Sequence, residues 1–330
     1  MSVLLETRNL SKVFHTPAGP LRAVDGVTLS LRAGTTLGVV GESGCGKSTL
    51  GRLMLRLLPA TGGEILFDGE DVLAMGPRAL NRFRRQAQII FQDPYASLNP
   101  RLTVGEIIAE PLLVNRICRS RSDLRAEIFR MMDLVGLADR LVNSYPHELD
   151  GGRRQRIGVA RALVLNPRFL VCDEPVSALD VSIQAQILNL LMDLQGQFGL
   201  TYLFITHDLS VVKHISSEIA VMYLGTCVEM AGAGELFRRP LHPYTRALLG
   251  AIPVPDLSRR GQAMEVLPGE VSSPIDLPPG CRFHARCRYA RAACLERDIP
   301  LTQRGDGHFV ACLPDTPPPG PAIARRASGA

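Results

Sequence analysis

The chain has 330 residues, of which 46% are apolar and 21% are charged, so it is long enough for one large α/β domain with an appendage or for two ordinary domains. No apolar run approaches the ~18 residues that a membrane-spanning helix needs, and the opening MSVLLETRNL has no basic leader, so no signal peptide is predicted. The net charge of +5 is mild and the arginines are spread along the chain, which does not indicate nucleic-acid binding. We therefore expect a cytosolic protein that contacts a membrane only through a partner.

Strand-like and helix-like patterns alternate from the N-terminus to about residue 235. Apolar periodicity predicts three strands, at 35–41, 169–175 and 201–208. It also predicts two helices, at 48–58 and 184–198. Helix signals dominate the middle of the chain, from about residue 100 to about residue 165, which predicts a helical insertion. The alternation is typical of an α/β fold with a mainly parallel sheet flanked by helices.

The C-terminal part of the chain has a different composition. Prolines and glycines become frequent after about residue 250, as in VLPGEVSSPIDLPPG, which predicts a linker or an irregular segment. The last residues, 314–330, are predicted to be disordered. Four of the eight cysteines crowd into the stretch from Cys281 to Cys312. Without an export signal, these cysteines argue against a disulfide framework.

GESGCGKS, from Gly41 to Ser48, matches the pattern G-x-x-x-x-G-K-[ST] in full and lies between a predicted strand and a predicted helix. Backbone N–H groups of such a loop curl around a triphosphate, and the helix N-terminus adds positive potential. Lys47 would reach the β- and γ-phosphates of ATP, and the Ser48 hydroxyl would hold Mg²⁺. The alternative is a glycine-rich turn that binds nothing. The residues predicted to contact the nucleotide here are Gly41, Ser43, Gly44, Cys45, Gly46, Lys47, Ser48 and Thr49.

Hydrolysis needs further groups, and three later strand ends supply them. FLVCDEP ends in Asp173, which can orient the Mg²⁺ shell, and Glu174, which can act as general base towards water. His207, in ITHD, is a candidate γ-phosphate contact, and Gln92, in IIFQDP, is a candidate ligand of Mg²⁺ and water. Each also has a purely structural interpretation: a helix-capping acidic pair, a structural histidine and a polar strand end.

Taken in order along the chain, these motifs resemble those of the ATP-binding cassette (ABC) family, over about residues 3–235. In that resemblance, Phe14 stands where an aromatic ring stacks on adenine, Gln92 is the Q-loop glutamine and His207 is the switch histidine. ELDGGRRQR corresponds to the signature motif, FLVCDEP to Walker B and SALD to the D-loop. The resemblance implies a P-loop NTPase (RecA-like) nucleotide-binding domain over 1–250, with an inserted helical subdomain at about 93–165. Two such domains would sandwich two ATP molecules.

The resemblance extends to a subfamily. AVDGVTLSLRAGTTLGVVGESGCGKSTLGR, FQDPYASLNPRLTVGEIIAEPL and HPYTRALLGAIPVPD resemble the ATPase subunits of oligopeptide and dipeptide importers, most of all the second of the two paired ATPases. This implies a peripheral ATPase at the cytoplasmic face of the cell membrane. Its partners would be a second, non-identical ATPase, two permease subunits and, indirectly, an extracytoplasmic peptide-binding protein. Competing interpretations are a soluble ABC ATPase acting on nucleic acid or ribosomes, a non-hydrolysing regulator, and an importer ATPase for another cargo such as nickel chelates.

The clustered cysteines, Cys281, Cys287, Cys294 and Cys312, have the spacing C-x5-C-x6-C-x17-C. The close C-x2–4-C pairs of zinc sites are missing, and the spacing is not a standard ferredoxin run, so spacing alone leaves unrelated thiols, zinc and an iron–sulfur cluster open. The segment resembles the C-terminal extension of peptide-importer ATPases. That resemblance implies a [4Fe–4S] cluster on these four residues, within an extension at 251–313, with a structural role.

The signature motif departs from the family pattern LSGGQ and reads Leu149, Asp150, Gly151, Gly152, Arg153. The two glycines still allow the backbone to approach a phosphate, but an ionised Asp150 can only accept hydrogen bonds. Two unit charges about 4 Å apart repel by roughly 4 kcal/mol at an effective dielectric near 20, unless Arg153 offsets the repulsion. The resemblance therefore predicts one active and one weak ATP site in a heterodimer. The alternative is that this spelling is harmless.

Overall fold

A computed structural model of the chain describes residues 2–252, 273–275 and 277–313. The predicted linker lies largely, and the predicted tail at 314–330 entirely, outside the described residues. Within the described part of the chain, no helix is both long enough and apolar enough to span a bilayer.

The described residues form twelve strands in two sheets. In chain order the strands are β1 (Val3–Thr16), β2 (Gly19–Arg32), β3 (Thr36–Val40), β4 (Gly62–Phe67), β5 (Glu70–Asp71), β6 (Ala87–Ile90), β7 (Phe169–Asp173), β8 (Thr201–Ile205), β9 (Glu218–Tyr223), β10 (Thr226–Gly232), β11 (Thr302–Gly305) and β12 (His308–Val310).

The larger sheet has the strand order β11-β12-β10-β9-β3-β8-β7-β6. Its middle is parallel, since β6 pairs with β7, β7 with β8, and β3 with both β8 and β9 in parallel register. The predicted α/β fold with a mainly parallel sheet is confirmed, and the three predicted strands are β3, β7 and β8. All residues of these three strands are buried, because helices cover both faces of such a sheet.

The smaller sheet is antiparallel, with the order β2-β1-β4-β5, and the sequence did not predict it. The pairing of β1 with β2 is interrupted by register shifts, for example between Thr7 and Leu10. Each such irregularity breaks the alternation of inward and outward side chains by which a half-buried strand is recognised in a sequence.

The described residues form eleven α-helices, together with short 3₁₀ turns. The helices are α1 (Lys47–Met54), α2 (Pro77–Gln86), α3 (Pro94–Ser97), α4 (Val104–Val114), α5 (Arg121–Leu134), α6 (Gly151–Leu163), α7 (Val181–Phe198), α8 (Leu209–Ile215), α9 (Ala233–Arg238), α10 (Pro243–Gly250) and α11 (Ala293–Glu296). The predicted helix at 48–58 ends early, at Met54. Arg56 takes a left-handed conformation (φ 49°), and its guanidinium donates to the carbonyl oxygens of Val72 and Met75.

The chain between β6 and β7 is helical, as the sequence predicts. Helices α4 and α5 each begin with a capping box, formed by Thr103 with Glu106 and by Ser120 with Asp123. Each box satisfies two backbone donors at a helix N-terminus. The apolar faces of α4, α5 and α6 share one core with residues of β7 and β8, so the insertion packs onto the central sheet. The division of the chain into domains stays a prediction.

Residues 277–313, which we call the C-terminal segment, are built into the central sheet. Strand β12 pairs antiparallel with β10, Glu229 opposite Val310. The imidazole of His308 lies 2.7 Å from the carboxylate of Glu229, and both side chains are buried. The backbone N–H of Ala311 donates to the carbonyl of Val228 at 2.8 Å. The segment is therefore held on the same sheet as β3.

Candidate functional site

The phosphate loop lies between β3 and α1, as predicted, and its last glycine has no tolerable substitute. Gly46 caps α1 with a left-handed backbone (φ 103°), and a Cβ there would lie 2.0 Å from the carbonyl oxygen of Ala23 in β2. Lys47 is buried, and its ammonium group donates to the carbonyl oxygens of Gly41 (2.8 Å) and Glu42 (3.0 Å). The ammonium thus lies inside the curve of the loop, where a cation can hold phosphate oxygens.

Ser48 and Asp173 meet across the sheet. The Ser48 hydroxyl donates to Oδ1 of Asp173 at 2.7 Å, although 125 residues separate them. Asp173 is buried at the end of β7. Burial raises the pKa of Asp173, and the hydrogen bond from Ser48 opposes that rise, as do the charges of Arg52 and Lys47. A hydroxyl beside a buried carboxylate is a donor set that suits Mg²⁺.

Glu174 contacts Gln92 and His207, the two remaining residues that the sequence predicts to take part in hydrolysis. Its Oε2 accepts a hydrogen bond from the amide of Gln92 at 3.1 Å, and Nδ1 of His207 lies 3.2 Å from the same oxygen. Glu174 has φ 46°, a conformation that is uncommon for a residue other than glycine. Its N–H donates to the carbonyl of Ile205, so the end of β8 supports this bend. A carboxylate held in this way can accept a proton from water.

Some predicted contacts lie apart from this cluster or beside it. Phe14 is half-buried on β1, with the ammonium of Lys12 4.9 Å from its ring centroid. Ser43 is exposed in the phosphate loop, while Cys45 is buried in it and burial raises the pKa of its thiol. Thr49 lies in the first turn of α1. The roles of these residues stay predictions.

The signature residues lie at the N-terminus of α6. Asp150 caps this helix: Oδ1 accepts from the N–H of Arg153 at 2.8 Å, and Oδ2 lies 3.4 Å from Nε of Arg153. A Cβ on Gly152 would lie 2.8 Å from Ile183, and a Cβ on Gly151 3.1 Å from Leu179. The two glycines thus permit close packing against the start of α7 and the loop before it.

The clustered cysteines lie within electrostatic range of one another. The pKa of Cys281 is raised to about 11, mainly by burial and in smaller part by the neighbouring Cys312, Cys294 and Cys287. Burial also raises the pKa of Cys287. Among the residues that the structure describes, no group of three or more His, Cys, Asp or Glu side chains could hold a metal ion. The prediction of a [4Fe–4S] cluster is therefore not supported by the geometry.

Sequence reasoning missed the contacts of Glu42, within the phosphate loop, with two residues from the later part of the chain. Glu42, inside the loop, accepts two hydrogen bonds from Arg286 of the C-terminal segment, at 2.8 and 3.1 Å. The N–H of Glu42 donates to the hydroxyl of Tyr244 at 2.9 Å. Two features of the sequence could have indicated these contacts: an acidic residue, Glu42, within a loop that binds anions, and the arginines among the clustered cysteines.

The central parallel sheet, the loop between β3 and α1 and the carboxylates after β7 define a P-loop protein that binds and hydrolyses nucleoside triphosphates. The sequence matches the family model "ABC transporter" over residues 24–177 and the family model "Oligopeptide/dipeptide transporter, C-terminal region" over residues 228–294. It is 50% identical, over 95% of this chain and 94% of the relative, to "Oligopeptide transport ATP-binding protein OppF" of Escherichia coli (strain K12). The chain belongs to the ATP-binding cassette family and is one of its ATPases.

Another relative and two solved structures agree with this assignment. "Oligopeptide transport ATP-binding protein AppF" of Bacillus subtilis (strain 168) is 49% identical over 94% of this chain and 96% of its own. A dimeric ATP-binding cassette, MJ0796, bound to ADP and Pi, superimposes with a TM-score of 0.64 at 28% identity, covering 70% of this chain and 99% of that one. The structure of cbiO1 from Clostridium perfringens gives a TM-score of 0.64 at 25% identity, covering 72% and 91%.

Asp173→Asn should separate stability from Mg²⁺ binding. The pKa of Asp173 is higher in the folded chain than in the unfolded chain, so its ionised form opposes folding at neutral pH, and this cost disappears below the unfolded pKa. We expect Asp173→Asn to raise the melting temperature of the nucleotide-free chain at pH 7. The same change should weaken Mg²⁺-dependent ATP binding by about tenfold or more, because a charged ligand is lost.

Thermal unfolding at pH 7 and ATP titrations with and without Mg²⁺ measure both effects. Asp193→Asn, on an exposed position of α7, is the matched control and should change neither. A lower melting temperature for Asp173→Asn would contradict the assignment of a destabilising carboxylate.

Proposed function

We propose that this chain is the ATP-hydrolysing subunit of a membrane importer of peptides. The observation that carries the proposal is the extent of the similarity: relatives named as oligopeptide transport ATP-binding proteins align over about 95% of this chain, C-terminal segment included. The match at residues 228–294 to a transporter C-terminal region lies mostly outside the cassette. A soluble ABC ATPase acting on nucleic acid or ribosomes would not account for that match.

In the proposed mechanism, the residues at the strand ends and in the phosphate loop bind ATP, hold Mg²⁺ or assist hydrolysis. Lys47 and the N–H groups of the loop would bind the phosphates of ATP, and Ser48 with Asp173 would hold Mg²⁺, which would neutralise charge on the transferred phosphoryl group. Glu174 would accept the proton of the attacking water. The hydrogen bond from Gln92 and the contact with His207 fix the carboxylate of Glu174, and His207 would also contact the γ-phosphate.

The surface of the helical insertion supports the proposed permease partners. Five large apolar or aromatic side chains of the insertion are exposed: Tyr95, Leu113, Val114, Ile117 and Tyr145. Tyr95 lies in FQDPYASLNP, three residues after Gln92, and the guanidinium of Arg154 covers its ring at 3.8 Å. Exposed apolar side chains of this kind are suited to contact membrane subunits. The chain would then work peripherally, at the cytoplasmic face of the cell membrane, on peptides delivered by an extracytoplasmic binding protein.

Uptake of a labelled oligopeptide into cells or proteoliposomes tests this function. Glu174→Gln should abolish uptake, lowering ATP turnover by about 10²-fold or more because the general base is lost, while ATP binding persists. Glu70→Gln, on an exposed position of β5, is the control and should leave uptake unchanged. Peptide uptake that survives Glu174→Gln, or a chain that purifies with nucleic acid and without membrane subunits, would contradict the proposal.

We also propose that the importer holds two unequal ATP sites, formed with a second, non-identical ATPase. In an ABC dimer, Asp150, Gly151 and Gly152 would face the ATP bound by the partner chain. The carboxylate of Asp150 brings negative charge to that phosphate, and its pairing with Arg153 offsets only part of the charge because both side chains are about half exposed. The site built on Lys47 and Glu174 would meet the partner's signature and hydrolyse ATP.

Turnover of the assembled transporter tests the asymmetry. Glu174→Gln in this chain should remove most ATP turnover, and the equivalent change in the partner ATPase should remove little. In the Glu174→Gln background, adding Asp150→Ser with Arg153→Gln should raise turnover by about tenfold, since the repulsion at the other site is relieved. Equal losses from the two glutamine variants would show that this signature is fully functional.

A [4Fe–4S] cluster on Cys281, Cys287, Cys294 and Cys312 is a separate proposal, supported by the family resemblance and not by the geometry of the described residues. Protein purified without oxygen should contain about four iron and four sulfide per chain and absorb near 400 nm. Cys294→Ser should remove this absorbance, and Cys118→Ser, at a cysteine outside the cluster, should not. Purified chain with zinc, or with no metal, would contradict it.

A further inference from the structure

Every polar group of Glu42 is engaged, and two of its partners come from beyond the cassette motifs. Its carbonyl accepts from Lys47, and its N–H donates to the hydroxyl of Tyr244 in α10. Its carboxylate receives both arms of Arg286 at 2.8 and 3.1 Å. Glu42 is the second residue of the phosphate loop, so these contacts tie the C-terminal part of the chain to the loop that binds ATP.

Arg286 is itself held firmly in place. Its side chain is only 7% exposed, and its guanidinium carbon lies 6.0 Å from the ring centroid of Tyr223 in β9. Phe283, three residues earlier, packs edge-on against the same ring at 5.3 Å. A planar guanidinium fixed by aromatic packing loses little further freedom when it pairs with a carboxylate.

The C-terminal segment has further attachments around the loop. Arg282 donates to the carbonyl of Leu224 and to the carboxylate of Asp25. Leu224 and Gly225 follow β9, and the N–H of Gly225 donates to the carbonyl of Cys45 in the phosphate loop at 2.9 Å. Together with the pairing of β12 on β10, these contacts fix the segment on the side of the loop where Glu42 lies.

The charge of Glu42 has a consequence for nucleotide binding. A carboxylate within an anion-binding loop repels the phosphates of ATP, and partial burial increases the repulsion. The Glu42 side chain is 24% exposed, so solvent screens it only in part. A bidentate arginine cancels this charge and also orients the peptide units on either side of Glu42, including the carbonyl that Lys47 contacts.

We propose that Arg286 is a positioning residue for the phosphate loop: it neutralises and orients Glu42, and through it the C-terminal segment sets the affinity of the chain for ATP. The proposal concerns ATP binding alone and does not depend on which solute the transporter moves. It gives the C-terminal segment a role in the ATPase cycle in addition to its place in the sheet.

Binding of ATP to the full-length chain, by calorimetry in Mg²⁺ buffer, tests the proposal, with ATPase rates measured in parallel. Arg286→Ala should weaken ATP binding by about tenfold, because it leaves a partly buried carboxylate unpaired in the loop. The KM for ATP should rise by a similar factor, with a smaller effect on kcat. Arg286→Lys keeps the positive charge but cannot form the bidentate pair, so its affinity for ATP should fall between those of the wild type and Arg286→Ala.

Rescue distinguishes positioning from a loss of folding. Glu42→Gln removes the charge that Arg286 neutralises, so the double variant Glu42→Gln with Arg286→Ala should bind ATP more tightly than Arg286→Ala alone. Arg297→Ala, an exposed arginine of the same segment, is the control and should bind like the wild type. ATP affinity within twofold of wild type in Arg286→Ala, or no rescue in the double variant, would overturn the proposal. If Arg286→Ala fails to fold, Arg286→Lys and its combination with Glu42→Gln provide the same comparison.

Discussion

The whole site depends on four neighbouring parallel strands that end at one edge of the central sheet. In the order β3-β8-β7-β6, the strand ends lead respectively into the phosphate loop, His207, Asp173 with Glu174, and Gln92. Parallel strands direct all their carboxyl ends to the same edge, so groups separated by up to 125 residues of sequence are brought within hydrogen-bond range without any loop having to reach across. The bonds from Ser48 to Asp173 and from Gln92 to Glu174 are the direct result.

The buried position of Asp173 illustrates the conflict between folding and function at this edge. A carboxylate at the end of a buried strand is shielded from solvent, and among the described residues Ser48 is the hydrogen-bond donor to it. That arrangement raises its pKa and opposes folding, yet the same dry carboxylate is a strong ligand for a divalent cation. Glu174 adds a second strained feature, because its left-handed backbone is tolerated only where the surrounding strand ends hold it.

The strands on the other side of β3 connect the phosphate loop and the neighbouring strand ends to the C-terminal segment. Strand β3 is the neighbour of β9, and β9 leads through β10 to β12. The aromatic group of Tyr223, Tyr244 and Phe283 fills the space between this half of the sheet and the phosphate loop. Tyr244 of this group contacts Glu42, and so does Arg286, whose guanidinium lies beside the ring of Tyr223. The segment is therefore part of the frame that supports the nucleotide loop.

The sequence by itself determined the α/β class and the strands β3, β7 and β8, and it predicted the helical insertion and the residues that meet at the strand ends. These features follow from local patterns: apolar periodicity, a glycine-rich loop of fixed spacing and polar residues at strand ends. Only the tertiary structure decided the antiparallel sheet of β1, β2, β4 and β5, whose register shifts hide its alternation. It also decided the capping of α6 by Asp150, the unsupported metal site at the cysteines, and the pairing of Glu42 with Arg286. That last contact joins residues 244 positions apart, and no local pattern encodes it, because it depends on how β12 docks on β10 and orients the C-terminal segment.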